Sequence, residues 1–391
     1  MNRTIFARVA ALLAAASLMT VAGACSSGTD FALNENQKPI TSASQQTTTT
    51  VAGQADGAGD NQPDAPEKTT ARTKASRAAK TTLPTTASGL QYQITGGHAV
   101  VTRYRGSDNK VTIPSTLGGY TVTEIAAEAF ADRKRVQSVT IPSTVTTVGD
   151  KAFYNCNSLR TITLPNSVTK LGTHVFELCV RLTQVTLPAG ITAIPEGTFR
   201  DCEALNRYTI PSGVKTIGNT AFRYCKALSS LTIPAGVTSI GADAFAGCEK
   251  LTTLDLPDSL RTIGENAFAN CVAIKRIKLP SQLTAVSDGM FQYCGALTTI
   301  TLPDSVTSVG ANAFASCEKL TSISLSSKLK TIGSTAFSGC RVLQNVRIPA
   351  SVTKIGDDAF FACHERMTLV GKKGSVAEKY ASANKLRFRE G

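Results

Sequence analysis

Cysteine is the residue type whose spacing first suggests chemistry in this chain. A zinc site needs cysteines in close pairs, often with histidine, and the sequence has neither a C-x-x-C motif nor a histidine column. Disulfides between neighbours would suit an oxidising compartment, but pairing would break the equivalence that a strict period implies. We therefore predict one column of buried, reduced thiols. Its ten members recur at every 23rd position: Cys156, Cys179, Cys202, Cys225, Cys248, Cys271, Cys294, Cys317, Cys340 and Cys363.

The histidines do not suggest a catalytic site. His98, His174 and His364 lie at unrelated positions of the repeat. Nucleophilic catalysis needs a Ser or Cys within hydrogen-bond reach of a base, and no spacing in the sequence brings such a pair together. Hydrolase and nucleotide-binding motifs are also missing from the sequence. We predict surface positions for the three rings and no catalytic residue, metal or cofactor. An uncharacterised hydrolase is the third alternative.

The elements that must position the cysteines form one repeating unit. Eleven phenylalanines, from Phe130 to Phe360, recur with the same period as the cysteines, and aliphatic residues follow 6, 9 and 11 positions after most of them. Proline comes 12 positions after nearly every Phe, with Ser326 as the exception. The alternation predicts a short strand. The segment G-x-x-A-F-x-x-C predicts a tight turn at Gly and then a short helical or 3₁₀ turn. Each unit is then one coil of a solenoid.

The first 88 residues differ in composition from the repeats. Arg3 and Arg8 precede an apolar run that ends in VAGAC, a segment that resembles the lipobox of bacterial lipoproteins. We expect residues 1–24 to be a lipoprotein signal peptide and Cys25 to be lipidated; the alternative is an ordinary secretory signal cut near Ala24. Residues 25–88 are rich in Thr, Ala and Ser, which predicts a disordered stalk. Its basic run over residues 68–80 fits a solvated linker better than a contact with an anionic envelope polymer.

The repeat resembles a known family. The segment LTIPAGVTSIGADAFAGC, residues 231–248, is close to the consensus of BspA-like (Treponema-type) leucine-rich repeats, and the resemblance extends over residues 89–391. It implies a right-handed leucine-rich-repeat solenoid of 23-residue units, with short parallel strands and short helical turns. It also implies an N-terminal β cap at 89–128, repeats at 129–365 and a C-terminal helix and strand cap at 366–391. Family members are associated with bacterial surface proteins that bind proteins of hosts or neighbouring cells.

One coil breaks the pattern of outward-facing residues. The positions 8 and 10 after Phe are mostly Thr or Ser, as expected for exposed strand positions. In the segment CVAIKRIKLP these two positions are Arg276 and Lys278, and Lys275 comes directly before them. All three lie close to Asp255 of the preceding coil, and Arg207 lies farther along the sheet. On an extended concave sheet these five residues form a candidate protein-binding patch. A harmless solubility substitution is the alternative. The Thr column also suits ice or polysaccharide binding, but charged residues interrupt it.

Composition narrows the function further. The formal charge of +13 is spread thinly, with no long basic helix face, which argues against nucleic-acid binding. We expect a monomeric surface protein, lipid-anchored to the bacterial cell envelope and facing outward. Its solenoid would bind a protein of host matrix or another cell, as in adhesion. The alternative is an envelope structural or scaffold protein without a specific ligand.

Overall fold

The computed structural model describes residues 83–391, and these form a β-solenoid of about 13 coils of about 23 residues with a C-terminal helix. The predicted fold class is confirmed. The predicted signal peptide, Cys25 and nearly all of the predicted stalk lie outside the described residues. Within residues 83–391, no helix has the length and apolar character needed to cross a membrane.

The N-terminal end of the solenoid is a small group of strands that leads into the first coils. Strand β1 pairs antiparallel with β2, and β2 pairs parallel with β5, which continues into the coils. The five strands are β1 (Leu90–Thr95), β2 (His98–Tyr104), β3 (Lys110–Thr112), β4 (Thr116–Leu117) and β5 (Tyr120–Ile125).

Each regular coil contributes two parallel strands, where the sequence predicted one. The predicted strand occupies positions 8 to 10 after Phe and builds face A, in which the middle side chain points inward and its neighbours outward. Its strands are β6 (Ser138–Thr140), β8 (Thr161–Thr163), β10 (Gln184–Thr186), β12 (Arg207–Thr209), β14 (Ser230–Thr232), β18 (Thr299–Thr301), β20 (Ser322–Ser324) and β22 (Asn345–Arg347). The second strand occupies positions 17 and 18 after Phe and builds face B. Its strands are β7 (Thr147–Val148), β9 (Lys170–Leu171), β11 (Ala193–Ile194), β13 (Thr216–Ile217), β15 (Ser239–Ile240), β16 (Thr262–Ile263), β17 (Ala285–Val286), β19 (Ser308–Val309), β21 (Thr331–Ile332) and β23 (Lys354–Ile355).

The glycine at the fourth position before Phe is required by close approach of the coils rather than by a tight turn. A Cβ on Gly149 would lie 2.5 Å from the backbone nitrogen of Ala127 in the preceding coil, and the φ of Gly149 is not positive. The ladder of face B strands is interrupted between β9 and β11 and between β16 and β17. In the repeats that follow these two strand positions, Pro195 and Ser287 replace the glycine. Proline has no N–H to donate, and the Ser287 hydroxyl donates to Ile263 O at 2.6 Å. One glycine column thus keeps face B continuous.

Face A is interrupted around the charged coils. Three successive coils carry Tyr208, Leu231 and Leu254 at the inward position where the other repeats carry Val or Ile. Pairing is lost between β10 and β12 and again after β14, and Arg276 keeps one isolated bridge to Thr299. β12 and β14, which carry Tyr208 and Leu231, still pair with each other, so these residues do not explain the interruptions. A further break lies between β20 and β22.

The Phe-containing segment forms hydrogen-bonded turns that do not extend into a helix. Tyr154 N donates to Lys151 O at 2.9 Å and Cys156 N to Phe153 O at 3.3 Å, the three-residue spacing of 3₁₀ turns. In every coil from Phe130 to Phe360, the residues two before and two after Phe have φ between 52° and 76°. These left-handed residues end each turn. They also orient the Phe153 N–H so that it donates a hydrogen bond to Val175 O of the next coil, at 3.0 Å.

The core consists of residue columns that run along the solenoid. Successive Phe rings lie with centroids 5.2–5.8 Å apart, and Tyr104 extends the column at its N-terminal end. At the other end Tyr380 packs edge-on against Phe360, with centroids 6.0 Å apart. Burial of each large ring contributes about 2–3 kcal/mol, so the column is a major source of stability.

The C-terminal cap contains the predicted helix and strand. It consists of β24 (Thr368–Gly371), α1 (Val376–Ala383) and β25 (Arg387–Glu390). Ser375 occupies the N-cap position, but its hydroxyl is buried without a partner and makes no capping bond. The Glu378 carboxylate instead accepts a hydrogen bond from Gly374 N at 2.6 Å. Tyr380 covers the last coil, and its hydroxyl accepts from Phe360 N at 3.4 Å.

Candidate functional site

The ten repeat cysteines form a single column, as predicted. Nine are buried and Cys363 is half-buried. Each thiol donates to the carbonyl oxygen of the Phe in the preceding coil, as Cys248 does to Phe222 O at 3.3 Å and Cys156 to Phe130 O at 3.1 Å. Cysteine therefore fills a narrow space and joins adjacent coils with a weak hydrogen bond.

The environment of the column suppresses thiol chemistry. Burial raises the pKa of Cys363 to about 12, and it raises the pKa of the deeper Cys248 and Cys271 further above the ordinary value. The thiolate is the nucleophilic and metal-binding form, so these groups stay protonated and unreactive near neutral pH. The reduced state in solution stays a prediction.

The histidines do not join the cysteines. His98 is exposed as predicted, whereas His174 and His364 are half-buried. His174 Nδ1 lies 2.6 Å from the buried carboxylate of Glu177, which also pairs with Arg200 at 3.4 Å. This cluster stabilises one turn and contains no Ser or Cys nucleophile. Among residues 83–391, no His, Cys, Asp and Glu side chains are grouped to hold a metal ion.

The charged residues of the predicted binding patch border a groove on face A. The groove has a volume of about 720 Å³, and Asp255, Arg276 and Lys278 line it together with Thr253 and Thr299. All three charged side chains are exposed, as is the neighbouring Lys275. The backbone at 253–255 forms no strand. The groove therefore combines exposed charge with a backbone that departs from the regular ladder.

Two expected relationships within the patch are not observed. Arg276 was expected close to Asp255, but none of the ion pairs between described side chains includes either residue. Opposite residues in paired face A strands are 23 apart, so Lys278 rather than Arg276 takes the position opposite Asp255. Arg207 lines a second groove of about 770 Å³ over earlier coils, with Gln184 and Thr161. The predicted residues thus divide between two grooves.

Sequence reasoning missed two exposed apolar residues on the Phe-containing turns, outside the set of residues that line the charged groove. Val272 is 42% exposed and lies on the same coil as Lys275, and Tyr293 on the next coil is 50% exposed. The signal was present in the sequence, because Val272 occupies a position that carries Glu or Lys in several other repeats.

Comparison with known proteins identifies the family of this scaffold. The family model for the BspA type leucine rich repeat region matches residues 123–252 and 238–366, with six copies. The chain belongs to the BspA-type leucine-rich repeat family. A search of curated proteins gave no match.

Solved structures show the same architecture in other bacteria. A leucine rich cell surface protein from Faecalibacterium prausnitzii is 30% identical, with a TM-score of 0.56; the match covers 79% of this chain and 94% of that one. A leucine-rich repeat protein from Bacteroides ovatus is 25% identical, with a TM-score of 0.51 and coverage of 77% and 98%. BspA-type repeats are thus shared with bacterial surface proteins, and the repeat scaffold of this chain is consistent with protein binding.

Proposed function

We propose that this BspA-type chain is a lipid-anchored surface protein that binds proteins of host matrix or of other cells. The supporting observation is the groove on face A at Asp255, Arg276 and Lys278. There the coil differs from its neighbours in charge and in backbone pairing. A scaffold without a ligand has no need for these two departures in one place.

Charge determines the kind of partner in this proposal. Lys275, Arg276 and Lys278 would attract an acidic partner and raise its association rate. The partner that fits is therefore an acidic protein surface.

The anchor is the second part of the proposal. Cys25 follows VAGA, which fits diacylation of the cysteine after signal cleavage. Two acyl chains hold a protein stably at a bilayer, whereas one does not. The similar cell surface protein from Faecalibacterium prausnitzii supports a surface location for this chain.

Binding is tested with the full chain against purified matrix proteins and whole cells. The variants are Lys275→Ser, Arg276→Ser and Lys278→Ser combined, and a control that removes three charges elsewhere, Lys134→Ser, Lys250→Ser and Lys319→Ser. We expect the groove variant to bind at least ten-fold more weakly, a loss of about 1.4 kcal/mol or more, and the control to bind as wild type. Equal binding by the two variants would remove the groove as the site. Absence of any binding by wild type would favour the scaffold alternative.

A further inference from the structure

Charge is divided unequally between the two sides of the solenoid. The turn side, from three residues before each Phe to five after it, mixes acidic and basic residues. Every ion pair between described side chains lies there or in the C-terminal cap. The strand side, which comprises faces A and B, carries no glutamate in the repeats. Its only acidic residues there are Asp255, Asp258 and Asp304.

Face B is the extreme case: its exposed edge, positions 16 and 17 after Phe, carries five cations and no acidic residue. All of these cations are exposed, and none forms an ion pair with another described side chain. Successive coils lie about 4.8 Å apart, so the row from the first cation to the last spans eight coils, about 40 Å. The row consists of Lys170, Lys215, Arg261, Lys330 and Lys354.

We propose that face B binds a linear anionic polysaccharide along the solenoid axis. The cations form a long, sparse row rather than a compact cluster, which suits an extended polymer better than a small anion. Neutralising a polyanion releases its counterions, so even widely spaced cations give appreciable affinity at low salt.

The side chains between the cations distinguish a polysaccharide from other polyanions. Most are Thr or Ser, and several donate to a backbone carbonyl of the preceding coil, as Thr238 does to Lys215 O at 3.3 Å and Thr353 to Lys330 O at 3.2 Å. A hydroxyl that donates to the backbone still has lone pairs free to accept from sugar hydroxyls. Face B has no aromatic ring on which nucleic-acid bases could stack. It also lacks the exposed apolar anchors that protein interfaces need.

This surface is independent of the groove proposed above for protein binding. Face B lies on the other side of the proline-containing turn, and its cations are not among the residues that line the groove. The groove variant therefore serves as a third comparison, and failure of one proposal leaves the other intact.

Heparin of defined length is the probe, and the protein is the full chain. The face B variant changes five cations to Thr, the commonest residue of these columns: Lys170→Thr, Lys215→Thr, Arg261→Thr, Lys330→Thr and Lys354→Thr. The control removes five charges from exposed turn-side positions: Lys134→Ser, Arg135→Ser, Arg181→Ser, Lys250→Ser and Lys319→Ser. Unchanged circular dichroism and melting temperature establish that each variant is folded.

We expect wild type to bind heparin and the face B variant to bind it at least ten-fold more weakly. The slope of log Kd against log salt should become shallower by about 4, close to one unit for each lost contact. The control and groove variants should keep most of the affinity. Equal losses in the face B variant and the control would show that only net charge matters and would overturn the proposal. Binding of polyglutamate or single-stranded DNA as tight as that of heparin would overturn the choice of polysaccharide.

Discussion

A single methyl group at Gly264 is expected to force two coils apart. A Cβ at this position would lie 2.6 Å from the carbonyl carbon of Gly241 and 2.7 Å from the Cα of Ala242. These are backbone atoms of the preceding coil, so no change of side-chain rotamer can relieve the overlap. The coils must separate, which lengthens the 2.9 Å hydrogen bond from Gly264 N to Ile240 O.

The magnitude follows from three contributions to the free energy of unfolding of Gly264→Ala. Overpacking against a rigid neighbour costs about 1–3 kcal/mol, and loss of the hydrogen bond costs about 1 kcal/mol more. Alanine restricts the unfolded chain, which offsets about 0.4–1 kcal/mol. The net destabilisation is therefore about 1–3.6 kcal/mol, measured by urea unfolding of the full chain with circular dichroism.

Two glycine positions provide matched controls. Gly295 has no atom within 4 Å of an added Cβ, so Gly295→Ala should change stability by less than about 1 kcal/mol. Ser287→Gly restores the glycine column at the break in the face B ladder. The variant should therefore increase hydrogen-exchange protection of the backbone between β16 and β17. If Gly264→Ala unfolds at the same urea concentration as Gly295→Ala, the close-approach argument is refuted.

Three further predictions concern the core, the thiols and the anchor. Tyr208→Phe removes a buried hydroxyl that has no partner and should raise the free energy of unfolding by about 1 kcal/mol; a loss would contradict this. Burial raises the pKa of the folded Cys248 and Cys271 thiols. Above pH ~8.5 these thiols therefore lose their protons in the unfolded chain but keep them in the folded one. The free energy of unfolding should then fall by up to about 1.4 kcal/mol for each thiol and each pH unit. The double variant Cys248→Ser/Cys271→Ser should show a shallower decline in urea unfolding between pH 7 and 10.5, and an equal decline would refute the assignment. Cys25→Ala should move the protein from the membrane to the soluble fraction, and unchanged detergent partitioning would exclude lipidation.

The columns were predictable because a strict period puts equivalent residues above one another. Phe153 and Cys156 repeat without insertion, and stacking follows from that alone. The second strand was missed because it is only two residues long, as at Lys170–Leu171, too short for a period-2 pattern. The role of Gly149 was also missed, since contact between coils leaves no local signal in one repeat.

Some structural features had signals in the sequence that can be used in other repeats. Pro195 and Ser287 replace the column glycine where face B is interrupted, and in both repeats Gly moves two positions on, to Gly197 and Gly289. The basic row of face B emerges when residues are sorted by repeat position rather than along the chain. The same sorting puts Lys278, and not Arg276, opposite Asp255.

The central claim, that the charged groove on face A binds a protein, is tested most directly by association kinetics. Surface plasmon resonance with the partner found in the binding screen would measure association rates of wild type and of the combined Lys275→Ser, Arg276→Ser and Lys278→Ser variant from low to high salt. The account predicts slower association for the variant and a flatter dependence on salt, because the attracting charges are gone, with an unchanged melting temperature. Equal rates and equal salt dependence for the two proteins would contradict it.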